Sequence, residues 1–417
     1  MNNSINIPMH PGVTPSPFSA LQIGPLTLRN RFIKAATNEG MARGGIPSKQ
    51  LVAFHRAIAA GGAALTTVAY CAVSRDGRTF PDQTTLDDHA VPHLRVLTDA
   101  VHEEGGAASA QITHGGCFTF LTDLSSKKPL SSSGGFNKVG IMSGLLWKQA
   151  MNEADMHRVA NEFARAALLA RDAGFDAVEI HMGHGYLLSQ FISPLYNKRR
   201  DQYGGNLENR LRFPCLVLRR VLDAVGSELA VICKYSIIDG AKGGNTAEDG
   251  AAIARILERE GAHLLVLSAG MNVESITTMF GSSFPKENRA SVSNPIVRTA
   301  MWIQGLTEPQ VEFREMYLLE HARKIRKAVD MPLAYLGGAK TRANVEQAMA
   351  EGFDAVAMGR ALIHAPDLVD RLAIGAVKDS ACTSCNRCVA MMYTAGGTSC
   401  VLGAPGDAAL NAQPAHS

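Results

Sequence analysis

Four times along the chain a helix-like stretch ends in a small or acidic residue plus glycine, and an apolar run begins at once. Ala60, Gly61 and Gly62 lead into 63–69, Ala173 and Gly174 into 175–180, Glu260 and Gly261 into 262–267, and Glu351 and Gly352 into 353–358. Glycine takes the left-handed cap that a β-carbon resists, so each pair punctuates a helix-to-strand junction. The runs 31–36, 106–112, 228–235 and 332–336 are also apolar at nearly every position and bounded by turn residues. Strands buried on both faces read this way. Eight such strands alternating with helices predict an α/β fold closed as a (β/α)8 TIM barrel. An open doubly wound sheet would announce a dinucleotide with a Gly-rich turn after its first strand. Thr37, Asn38, Glu39 and Gly40 follow 31–36 instead, which disfavours it.

Two decorations stand out. Residues 21–30 alternate apolar positions around Gly24 and Pro25, the pattern of a hairpin placed to plug the barrel bottom. A long excursion, 115–152, follows the third strand. A loop of that length belongs to the catalytic face, as a lid over the substrate. The expected organisation is a flexible segment 1–17, a barrel domain 18–378, a cysteine-rich extension 379–403 and a flexible tail 404–417.

Composition changes little in this picture. The chain is 46% hydrophobic and 19% charged with a formal net charge of +3, too small an excess to imply nucleic acid or an anionic membrane as partner. It has no apolar stretch of about 20 residues and no secretory leader pattern at its start, so the cytoplasm is the expected location. A small molecule is the expected partner, and a homo-oligomer stays an option. Of eight cysteines, Cys71, Cys117, Cys215 and Cys233 are scattered, whereas Cys382, Cys385, Cys388 and Cys400 fall together. Without a leader, that grouping suggests metal binding over disulfides.

Candidate chemistry concentrates after 177–180, in the run from His181 through Met182, Gly183, His184, Gly185 and Tyr186 to Gln190 and Phe191. The glycines turn the strand so that two imidazoles and a phenol can converge. Imidazole N–H groups can hold a carbonyl or nitro oxygen, with the phenol as proton source. The seventh and eighth strands end in Gly337, Gly338 and Gly359, Arg360, where barrels bind phosphate. His114 has no assigned role, and Arg199, Arg200, Asp201, Arg210 and Arg212 read as a solvated, salt-bridged loop and helix start.

These residues, with Gly204, Gly205, Asn206, Asn209, Arg210 and Arg212, resemble the old yellow enzyme family of FMN-dependent ene-reductases across roughly 17–375. The resemblance implies that His181 and His184 bind the electron-withdrawing group of the substrate and that Tyr186 protonates the carbon alpha to it. It implies FMN against Ala35, Ala36, Thr37, the Tyr70 backbone, Gln111, Lys234, Gly337, Gly338, Gly359 and Arg360, with NADH or NADPH as hydride donor. Lysine at 234 departs from the more usual arginine, and threonine at 37 from the cysteine of some subgroups. Gln111 and Thr37 suit a flavin's pyrimidine edge, and a cation such as Lys234 suits the charge that builds near N1 and O2 on reduction.

The run Cys382, Cys385, Cys388, Cys400 is similar to the four-cysteine segment that holds a [4Fe–4S] cluster in dienoyl-CoA reductases and trimethylamine dehydrogenases. Its middle spacing is one residue shorter, and those relatives continue into an FAD domain. Four thiolates suit zinc equally, and unliganded thiols are the third reading. The expected activity is NAD(P)H-driven reduction of activated C=C bonds. An amine dehydrogenase or demethylase is the enzymatic alternative, and a flavin-binding module without turnover the non-enzymatic one.

Overall fold

The computed structural model describes residues 14–141, 143–285, 298–299, 310–394 and 396–403. Most of the expected segment 1–17 and all of the tail 404–417 lie outside the described residues. Eight strands close into a barrel: β1 (Phe32–Lys34), β2 (Leu65–Ala72), β3 (Ala107–Thr113), β4 (Ala177–Met182), β5 (Ala230–Ser236), β6 (Leu264–Ser268), β7 (Leu333–Tyr335) and β8 (Ala355–Met358). Every neighbouring pair is parallel, and β8 returns to β1 through Val356 opposite Phe32. The eight apolar runs are these eight strands.

The helices form the outer layer, and several begin on caps that the sequence supplies. Asn152 with Asp155, Thr246 with Asp249 and Thr341 with Asn344 each make a reciprocal capping box at the start of a helix. Each such cap is worth about 1 kcal/mol. Outward strand positions such as Val178, Ile180, Val231 and Leu265 pack with the helices in one large core. No helix among the described residues is long and apolar enough to cross a membrane.

The lumen is graded in polarity. Its lower layers hold Ile33, Leu65, Ala177, Ala230, Ile232, Leu264, Val266, Ala334 and Ala355. Leu21, Ile23 and Leu28 join that cluster from an antiparallel hairpin, Leu21–Ile23 with Leu26–Leu28. The hairpin is therefore the expected plug. Its turn requires glycine: Gly24 has φ 53°, and a β-carbon there would stand 2.4 Å from the His263 ring. At the other end of the strands the buried side chains are polar: Gln111, Glu179, His181, Lys234 and Ser268. That asymmetry alone marks the C-terminal face as the working face.

The excursion after β3 folds into a small sheet in which Trp147–Ala150 pairs with Leu130–Ser131 and Gly135–Phe136. It is fastened down: Ser132 Oγ donates to the Gln190 carbonyl at 2.6 Å, and Arg199 donates to the carbonyls of Ser132 (2.9 Å) and Met151 (2.8 Å). Arg199 makes the expected salt bridge, to Asp201, but is an anchor and not solvated, with 12% of its side chain exposed. Arg210 departs from the solvated reading too, buried and donating to the Ile192 and Gly205 carbonyls and to Asn245 Oδ1. Both guanidiniums satisfy backbone oxygens that a loop crossing the barrel rim would otherwise bury unpaired.

Candidate active site

His181 is in β4, opposite Lys234 in β5, so register alone puts an imidazole beside an ammonium. After Met182 the chain turns through Gly183, His184 (φ 61°) and Gly185 (φ 85°), and a short helix, Leu187–Ile192, begins after Tyr186. The turn brings the three predicted side chains together. The His181 ring lies 4.9 Å from that of His184 and 4.7 Å from that of Tyr186, centroid to centroid. All three are buried.

A backbone hydrogen bond fixes the proton position at His181. The Gly183 N–H donates to His181 Nδ1 at 3.2 Å, which leaves Nε2 as the protonated nitrogen of a neutral ring. His184 Nε2 lies 2.7 Å from Ser268 Oγ. Both imidazoles are held well below their ordinary range by burial, with neighbouring His184 and Lys234 adding to the effect at His181 and Lys234 at His184. They are therefore neutral N–H donors at physiological pH. Burial raises the Tyr186 phenol, while Tyr70 and Asn272 pull the other way, so the proton stays on oxygen until an acceptor arrives. The Tyr70 ring lies 5.2 Å from that of Tyr186, tilted by 49°, and Phe118 meets Tyr186 edge-on at 5.6 Å.

A belt of charge lies beneath. Gln111 Nε2 donates to Glu179 Oε1 at 2.6 Å, and Lys234 Nζ donates to the Ala36 carbonyl at 3.2 Å. Burial raises Glu179 and lowers Lys234, and each moderates the other's shift by attraction. Thr37 sits beside Gly359, whose missing β-carbon would be 3.6 Å from Thr37 Cγ2. Ala35 N bonds to Met358 O at 2.9 Å, joining the ends of β1 and β8. Gly337 and Gly338 have φ of 154° and 85°, and Gly338 packs on Tyr317. The Arg360 guanidinium points to the extension: it donates to the Phe280 (2.7 Å) and Ser384 (3.2 Å) carbonyls and to Asn386 Oδ1.

The sequence reading passed over Lys34, Glu39, Glu179 and Asn272. Lys34 and Glu39 form an ion pair with 0% and 1% of their side chains exposed, and Thr37 Oγ accepts from Lys34 at 2.9 Å and donates to Glu39 at 2.7 Å. A charged residue inside an apolar strand is the available signal for Lys34 and Glu179. Asn272 has no such mark, being in the loop after β6.

Residues 17–379 match the NADH:flavin oxidoreductase / NADH oxidase family of FMN proteins. The chain belongs to that family. It is 41% identical over 395 residues to the 4,4'-dithiodibutanoate disulfide reductase of Rhodococcus erythropolis, covering 93% of this chain and 95% of the relative. It is 32% identical over 380 residues to the NADH oxidase of Thermoanaerobacter brockii, covering 89% of this chain but 53% of that protein. The old yellow enzyme homologue from Zymomonas mobilis superposes with a TM-score of 0.68 at 25% identity, over 88% of this chain and 94% of the other. The protein is thus an FMN-dependent NADH:flavin oxidoreductase of the old yellow enzyme type.

The residues present fit the flavin. Thr67 Oγ1 and Thr113 Oγ1 are buried polar atoms with no hydrogen-bond partner among the described residues, as expected where a polar ligand supplies the partners. A buried ammonium at Lys234, an amide at Gln111 and a hydroxyl at Thr37 match the needs of a pyrimidine edge.

The cysteine-rich extension packs against the barrel. Cys388 is within electrostatic reach of Cys382, Cys385 and Cys400, and burial pushes its thiol up to about 12. Cys400 Sγ lies 3.2 Å from His364 Nδ1. Among the described residues no three or more Cys, His, Asp or Glu side chains are arranged as an ion cage.

Proposed function

We propose that the enzyme reduces the C=C bond of α,β-unsaturated carbonyl or nitro compounds with NAD(P)H. The carrying observation is the triangle of His181, His184 and Tyr186, two neutral N–H donors beside a protonated phenol. Bound FMN would supply the hydride chemistry, linking NAD(P)H to the β-carbon of the substrate. His181 and His184 hold the carbonyl or nitro oxygen and stabilise the negative charge that gathers on it. Tyr186 gives its proton to the α-carbon and recovers one from solvent. The sum is NAD(P)H, a proton and an enone converted to NAD(P)+ and the saturated ketone. Burial of all three side chains excludes bulk water from the transfer.

A second reading has support of its own in the Rhodococcus relative, whose name specifies a disulfide substrate. Hydride transfer to one sulfur would break the S–S bond, with Tyr186 protonating the departing thiolate and two thiols as products. Anaerobic mixing of the NADH-reduced enzyme with 2-cyclohexenone or with 4,4'-dithiodibutanoate separates the two. Faster return of the oxidised flavin spectrum with the enone supports the first reading, and return with the disulfide alone replaces it.

For the extension, the reading is a [4Fe–4S] cluster held by Cys382, Cys385, Cys388 and Cys400, with zinc as the alternative. Thiols so close together are favoured as thiolates only when a cation is shared among them. Such a centre would staple the extension to the barrel. A small-molecule partner and a cytoplasmic setting agree with this chemistry.

A further inference from the structure

The extension does more than cover the barrel. Thr398 donates from its backbone N–H to the Glu39 carbonyl at 2.7 Å and from Oγ1 to the Asn38 carbonyl at 2.9 Å. Gln50 Nε2 donates to the Gly396 carbonyl at 2.6 Å. These bonds clamp the extension onto the loop that leaves β1 and onto the helix Lys49–Ala60 that follows it, and the segment between Cys388 and the clamp carries Tyr393.

Tyr393 begins a ladder of rings. It meets Phe80 edge-on at 6.2 Å, and Phe80 stacks on Phe120 at 5.1 Å with planes 9° apart. Phe120 meets Phe118 at 5.8 Å, and Phe118 meets Tyr186 at 5.6 Å. Three separate pieces of chain, the loops after β2 and β3 and the extension, thus contribute rings that lead from the surface to the proton donor. Tyr393 is 50% exposed, and Phe80, Phe118 and Phe120 are half-buried. The Tyr393 phenol is also within electrostatic reach of those of Tyr186 and Tyr70. Half of the Tyr393 surface is open at this mouth, and a flat conjugated molecule lying along the ladder would cover apolar area there. A purely structural tyrosine would need no such alignment with rings from two other loops.

We infer that Tyr393 is a specificity-determining residue and that, with Phe80, Phe118 and Phe120, it selects substrates whose activated double bond is conjugated to an aromatic ring. This rests on the proposed reduction of activated C=C bonds. An aliphatic substrate of the same reactivity reaches His181 and Tyr186 without using the ladder, so the ladder changes relative preference and not the chemistry.

The test compares cinnamaldehyde with trans-2-hexenal on the FMN-loaded enzyme, as wild type, Tyr393→Phe and Tyr393→Leu. Tyr393→Leu should raise KM for cinnamaldehyde about three- to tenfold, the range of one aromatic contact. KM for hexenal should stay within about twofold, and Tyr393→Phe, which keeps the ring, should behave as wild type. Equal changes for both aldehydes, or none, would overturn the assignment. Titration of cinnamaldehyde into the oxidised enzyme, followed by the flavin absorbance, reads binding without turnover. If neither aldehyde reoxidises the flavin, the proposed reaction fails, while a cinnamaldehyde Kd weakened by Tyr393→Leu still upholds the aromatic mouth. Phe80→Leu repeats the measurement one rung deeper should Tyr393→Leu fail to fold, and an unchanged cinnamaldehyde KM there counts equally against the ladder.

Discussion

Lys34 and Glu39 face one another in a space closed to solvent, the ammonium shared between the carboxylate, the Thr37 hydroxyl and the Thr67 carbonyl. Lys34 also lies 5.1 Å from the Phe54 ring centroid, among apolar neighbours. Burial lowers the Lys34 pKa and Glu39 counters it. Removing one partner strands the other charge, so Lys34→Met should cost about 3–5 kcal/mol in denaturant unfolding. The double variant Lys34→Met/Glu39→Gln should recover most of that loss. A single variant as stable as wild type would show that the pair is dispensable.

Tyr186→Phe removes a proton donor and little else. Reduction of the enzyme by NADH should be nearly unchanged, whereas reoxidation by an enone should slow by roughly 10² to 10⁴. Anaerobic stopped-flow measures each half separately. Equal reoxidation rates in the two proteins would reject Tyr186 as the acid.

The buried histidines set a pH dependence. His181, His184 and His55 are held well below the ordinary imidazole range, chiefly by burial, and His114 is lowered to about 4 by burial first and Arg158 second. In the unfolded chain the same rings take up protons as pH falls through about 6.5. Protons thus favour the unfolded state, and the stability from neutral rings is complete above that pH and is lost on acidification. Each contributes a slope of about 1.4 kcal/mol per pH unit until its folded pKa is reached. Melting temperature should be level between pH 7 and 8 and drop steeply below about 6. By the same logic kcat/KM for an enone should show no limb near pH 6.5, and such a limb would mean that His181 or His184 titrates in the working enzyme.

Much of this was legible in residue order. Strands such as 228–235 and 353–358 are recognisable because a barrel strand is buried on both faces, which forces an unbroken apolar run. The His181, His184 and Tyr186 cluster is legible because one turn builds it. Tyr393 and Asn272 are not, because their neighbours come from loops far away in sequence and no local period encodes that meeting. Arg199 and Arg210 look solvated by charge alone, and only the fold reveals the carbonyls they satisfy.

Arg360→Ala bears on two functions. Beside Gly359 its charge is at the expected phosphate end, while its guanidinium holds carbonyls of Phe280 and Ser384. FMN should be retained about 10- to 100-fold less tightly, the worth of a charge-assisted contact, with the barrel still folded by circular dichroism. Limited proteolysis should cut between 380 and 400 sooner than in wild type. Unchanged FMN affinity together with early cleavage would assign Arg360 to the extension alone.

If the extension carries the proposed metal centre, Cys388→Ser should abolish it instead of lowering its content by a quarter, because thiolate sites bind cooperatively. Anaerobically purified protein should contain iron and acid-labile sulfide, or zinc in their place. Folded, active protein free of all three would identify Cys382, Cys385, Cys388 and Cys400 as ordinary thiols.

The bonds from Thr398 to Asn38 and Glu39 have a consequence for biosynthesis. A chain emerging from the ribosome presents β1 and its loop early, yet β1 waits for β8, and the loop waits for a threonine some 360 positions later. Helices and inner strands can assemble pairwise as they appear, but the mouth of the site is the last surface to exist. The clamp on the loop after β1 can therefore close only once residue 398 has been made, so this side of the mouth is set by one of the last described stretches of the chain.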